Sequence, residues 1–147
     1  MRTPLIFFAL VSFGFSFGQG LSVEAFVQQS QIGLQKGYGV HLVNEQGWGL
    51  GTILQSTDGT PNEKDNDSNY LFWGLETRIP IHNCGRLRLA LTPKAGFVNK
   101  NFFVVLPEIQ TEYQLTRMVA LGIGAGIRVN EAAISFKISI QPFRQSL

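Results

Sequence analysis

The 147-residue chain carries 12 Lys+Arg against 10 Asp+Glu, 44% apolar residues, 16 Gly and a single Cys. One cysteine excludes an intrachain disulfide framework, two histidines beside one thiol exclude Cys/His-rich metal modules, and a net charge of +2 leaves no basic footprint for nucleic acid. Charged residues are 15% of the sequence against the ~25% of ordinary soluble domains, so much of the surface is expected not to meet water.

Residues 1–18 pair a basic Arg2 with the apolar run Leu5–Phe15 and end in Ser16-Phe17-Gly18. This pattern predicts a signal peptide cleaved before Gln19, leaving a single domain over 19–147. The apolar run is too short for the ~20 residues of a spanning helix.

After residue 20 apolar residues do not recur at helical spacing; they alternate. Strands are predicted near 21–28, 32–43, 48–56, 70–80, 87–98 and 102–115, followed by 119–129 and 134–141. Each is about as long as the ~9–11 residues of a tilted membrane-crossing strand. Asn130-Glu131 reads as a hairpin turn pairing Val129 with Ala132, and 82–86 reads as a turn. Pro93 and Pro107 fall opposite each other in a hairpin centred on Lys100, where each removes a ladder donor and predicts a bulge or widened ladder. The one long connection is the polar segment 56–69.

Alternation alone does not say which face is wet; the composition of the two faces does. The apolar phase holds Leu34, Tyr38, Trp48, Leu50, Trp73, Leu75, Leu89, Leu121, Ile123, Phe136 and Ile138, no Gly, and one charge, Lys36. The other phase holds Gly33, Gly37, Gly39, Gly49, Gly51, Gly74, Gly96, Gly122, Gly124 and Gly126. It also holds Glu24, Glu76, Glu108 and Glu112 against Arg78, Arg88, Lys94, Arg128 and Lys137. An eight-stranded barrel is only wide enough for side chains to fill it. Large apolar residues would overpack it, whereas glycines leave room for long ionic side chains that pair to offset their desolvation. The expected fold is therefore an all-β, eight-stranded antiparallel up-and-down transmembrane barrel with a polar, ion-paired interior. The rival with the faces reversed is a soluble lipid-binding barrel.

Leader, amphipathic strands, small inward residues and inward ions together resemble small outer-membrane barrels of the OmpA/OmpX type, and cleavage before Gln19 resembles outer-membrane proteins of Bacteroidota. The resemblance implies residence in the outer membrane of a diderm (Gram-negative) bacterium. It also implies contact with its lipid and assembly machinery, and a structural or surface-interaction role. Phe143, behind Pro142 and out of phase with Ile134–Ile140, departs from the terminal aromatic common in that group.

The candidate sites divide by chemistry. The nine inward charges are read as an ion network that closes the lumen rather than a porin-like path. Tyr38, Trp48, Trp73, Phe97 and Tyr113, with Phe102, Phe103 and Phe143, suit a lipid-facing interfacial girdle. Asp65, Asp67, Asn69 and Glu76 match calcium-loop spacing, but Tyr70 stands where the sharp turn needs Gly. His41 is the one plausible catalytic base, needed by the alternative of a lipid-modifying enzyme, yet it lies in the inward phase. His82 and Cys84 share a solvated turn. No cofactor, metal or nucleic-acid partner is expected, and the 56–69 loop is the natural surface for an extracellular or envelope partner.

Overall fold

Side chains that alternate between large apolar and small or charged types can satisfy one environment on each face only in an extended backbone. The chain adopts that conformation almost throughout. The structure, a computed structural model, describes residues 20–30, 33–57, 71–128 and 131–141. The strand segments are β1 (Gly20–Ser30), β2 (Gly33–Val43), β3 (Gly49–Thr57), β4 (Leu71–Cys84), β5 (Leu87–Leu91), β6 (Lys94–Val98), β7 (Phe102–Leu106), β8 (Glu108–Gln114), β9 (Val119–Arg128) and β10 (Glu131–Ile140). β5 and β6 are two lengths of one stave, as are β7 and β8, so ten segments make eight antiparallel staves. β1 pairs with both β2 and β10, and β3 pairs with β4. The sheet therefore closes on itself; among the described residues β7 alone, paired only with β6, keeps an edge without a strand partner.

The stagger of this closure follows from the pairings. From Phe26 the register runs through Gly37, Gln55 and Phe72 to Val98 in one direction. In the other it runs through Lys137, Gly122 and Glu112 to Arg88, ten residues away on the same stave. With strands ~4.8 Å apart and rising ~3.3 Å per residue, that offset tilts the staves by roughly 40°.

Pro93 and Pro107 do interrupt the ladder, but without the expected bulge. Lys94↔Leu106 above and Leu91↔Ile109 below keep the same register. Each proline still accepts through its carbonyl, from Thr77 N at 3.0 Å and Ile127 N at 3.1 Å. What is lost is one donor on each stave, not alignment. The register shift lies instead at Ile81, between Pro80 and His82, and β4 runs on to Cys84. The expected 82–86 turn therefore shrinks to Gly85-Arg86, with Gly85 at φ +56°. The last hairpin pairs Arg128 with Glu131, a register two residues off the expected Val129–Ala132 pairing, which keeps every side chain on its expected face. Asn99 and Lys100 both have positive φ, the type I′ geometry whose twist suits a tight hairpin.

The leader, the body of the long loop including Asp65, Asp67, Asn69 and Tyr70, and the segment with Pro142 and Phe143 lie outside the described residues.

Candidate functional site: the filled lumen

Most inward glycines make room for a specific neighbour, Gly33 with open space beside it being the exception. A Cβ at Gly37 would collide with the Phe26 ring, and one at Gly51 with the His41 ring. At Gly124 it would collide with the Glu108 carboxylate and Ser135 Oγ. Gly74 and Gly96 face each other across β4 and β6 so closely that a Cβ on either meets the other's backbone.

Into that space project Glu24 from β1, His41 from β2, Glu76 and Arg78 from β4, Lys94 from β6, Glu108 and Glu112 from β8, and Lys137 from β10, all buried. Lys137 Nζ lies 2.9 Å from Glu24 Oε1 and 3.1 Å from Glu76 Oε1. Lys94 Nζ lies 2.6 Å from Glu108 Oε2 and 3.9 Å from Glu76 Oε2. Ser135 Oγ donates to the other Glu108 oxygen at 2.5 Å. Arg78 pairs with Glu112, which also accepts from Gln110 Nε2 at 2.7 Å. Both lysines stand over the Phe26 ring, at 4.7 and 5.8 Å from its centroid, within cation–π range. Paired this way, ions whose isolated burial would cost many kcal/mol hold the staves together.

Two further cations are expected inward from sequence parity. Arg88 is half-buried near the short-turn mouth, where it donates to Gln114 at 3.4 Å. Arg128 ends β9 opposite Glu131.

The interior is not polar throughout. Phe26, Ile53, Phe72 and Leu106 form a buried apolar cluster, with Val98 and Val104 packed on it, toward the long-loop end. Gln55 donates to Gln28 at 2.6 Å and to Gln35 in the same half. Sequence parity carried this signal: these residues are in phase with Glu24, Glu76 and Glu108. At the opposite mouth, Arg88, Glu112, Gln114, Met118 and Gln141 line a cavity of about 10 Å³, room for about one water.

His41 lies between Glu24 (3.7 Å from Nδ1) and Glu76 (3.6 Å from Nε2). The three donors fall within 4.8 Å of one another, as a cation site would require. The Lys137 ammonium already bridges both carboxylates, so the cation of this site is the protein's own. Ser22 is the cross-strand partner of His41, a juxtaposition missed in the sequence because it depends on the β1–β2 register. Neither Ser22 Oγ nor His41 Nε2 has a hydrogen-bond partner, and both side chains are enclosed in the lumen, away from lipid. Glu76 is committed to this cluster rather than to a calcium loop.

On the outer wall, Val23, Leu34, Leu50, Leu75, Ile109, Leu121, Ile123, Ile134, Phe136 and Ile138 are all exposed. Trp73, Phe97 and Phe103 cluster near the long-loop end, tilted and edge-on, with centroid separations of 6.1 and 5.5 Å. Trp48 and Tyr113 lie near the short-turn end, while Tyr38 sits mid-strand, opposite Ala25, rather than at either level. His82 and Cys84 are exposed at the end of β4.

A closed antiparallel ring of this kind has counterparts among solved structures. A structure described as "De novo design of transmembrane beta-barrels" superposes with a TM-score of 0.65 at 12% identity, covering 84% of this chain and 96% of its own. The fold is that of a transmembrane β-barrel. The solution structure of the designed protein TMB2.3 gives 0.64 at 11% identity, covering 86% and 96%. Neisserial surface protein A gives 0.45 at 11% identity, covering 83% and 94%. No protein-family profile matches the sequence, and no curated protein is similar to it.

Proposed function

We propose that the chain is an outer-membrane barrel of a diderm bacterium, exported by its 1–18 leader, that serves a structural or surface-interacting role without an open pore. The supporting observation is the division of faces. Among the described strand residues the outward face carries one charge, Lys36, while the seven buried ions pair inside. An apolar belt of this kind is stable only against lipid. Paired ions, an apolar cluster and glutamines occupy the space a channel would need. The role is then envelope integrity, or contact with an extracellular or envelope partner through the 56–69 loop. Handling by the outer-membrane assembly machinery and a Bacteroidota origin belong to the same reading.

The lipid-modifying alternative needs its base at the lipid-facing rim, and His41 is enclosed among carboxylates. A barrel in this role migrates faster on gels before heating than after, fractionates with the outer membrane, and adds no steady conductance to a planar bilayer. Recovery in the soluble periplasmic fraction would contradict the reading.

A further inference from the structure

The outer wall is not uniformly tall. Along β1 the outward side chains are Val23, Ala25 and Val27. Ala25 stands between Tyr38 on β2 and Ile138 on β10, and Val27 between Lys36 and Phe136. The short side chains between tall ones leave a trough of about 350 Å³ over Ala25 and Val27, walled by Tyr38, Phe136 and Ile138, with Lys36 in its lining. That volume is in the ~300–1,000 Å³ range of ligand sites. The trough follows β1 and so runs obliquely down the wall, as a hydrocarbon chain would lie.

Lys36 is the only charge on the outward face of the described strands. It is three residues into β2, on the half nearer the 31–32 hairpin, and that is also the end from which residues 58–70 emerge. A cation on the lipid face is costly near the midplane and less so toward the interface. A lysine stem in this half carries its ammonium toward headgroup level. A trough shaped for an acyl chain, with a cation at its headgroup end, is complementary to an anionic lipid.

We propose that the trough seats one acyl chain of a lipid A molecule, with a lipid A phosphate on the Lys36 ammonium. Lipid A is the choice because the outer-membrane reading, on which this proposal rests, turns the 58–70 end outward, toward the lipid A leaflet.

Native mass spectrometry of the folded barrel in neutral detergent, with lipid A, phosphatidylglycerol or phosphatidylcholine added, tests it. Wild type is expected to hold one lipid A roughly tenfold more tightly than phosphatidylcholine, the worth of one charge-assisted phosphate contact. Lys36→Gln should abolish that preference and Lys36→Arg retain it. Ala25→Phe, which fills the trough from outside without touching the lumen, should lower lipid A binding by about the same factor. Heat-modifiable migration of every variant confirms that the barrel is intact. Lipid A binding unchanged by Lys36→Gln or Ala25→Phe would overturn the site. Equal binding of phosphatidylcholine, or tighter binding of phosphatidylglycerol, would overturn the choice of lipid A. Absence of wild type from the outer-membrane fraction would overturn the outer-membrane reading instead.

Discussion

Lys137 ties two staves to its own, because one ammonium neutralises both Glu24 and Glu76. Lys137→Met would leave Glu24 buried without its cation and Glu76 with Lys94 alone, a loss of ~3–5 kcal/mol when one partner of a buried pair is removed. Urea unfolding in detergent micelles should show that drop, and Lys137→Met combined with Glu76→Gln should recover part of it. Gly37 makes the complementary case, since its missing Cβ is the space taken by Phe26. Gly37→Val should cost ~1–3 kcal/mol through overpacking, and adding Phe26→Leu should relieve it. If the two substitutions were simply additive in their urea midpoints, the close fit would not be the cause. Period-two parity made the ionic residues and most of the glycines legible in the sequence. His41's neighbours were not legible, because Ser22 and Glu24 come from β1 and Glu76 from β4, and their meeting with β2 depends on strand register.

Strand existence was legible for the same reason: a period of two survives without knowledge of partners. Strand ends were less so. The bulge at Ile81 carries β4 into residues rich in turn formers, His82-Asn83-Cys84, because β5 remains beside them to be paired. The two prolines marked a ladder fault correctly, but the neighbouring staves hold alignment through the proline carbonyls, so no extra residue is extruded. Pro93→Val would restore an N–H opposite the Thr77 carbonyl, worth ~0.5–1.5 kcal/mol if the bond forms. The expected outcome is a higher urea midpoint and a slowly exchanging amide at position 93. A fast-exchanging amide there would mean that the staves are splayed at this level.

For the molecule as a whole, the decisive property is which face meets lipid, and composition carried that argument before any register was known. Ile123 is mid-strand in β9 and 57% exposed, so Ile123→Arg would place a charge near the bilayer centre and cost ~2–4 kcal/mol in lipid vesicles. On a water-facing surface the same change would stay within about 0.5 kcal/mol. The apolar cluster at the long-loop end and the ions below it were not separable by composition, since both occupy one phase. Only the stagger of the closed sheet places them at different heights. The central claim is tested most directly by spin labels placed one at a time along β9 and β10, in a Cys84→Ser background reconstituted into bilayers. Labels at Ile123, Phe136 and Ile138 should collide freely with dissolved oxygen and hardly at all with a water-soluble nickel chelate, while labels at Ser135 and Ser139 should be shielded from both. Free access of the chelate to positions 123, 136 and 138 would contradict the account.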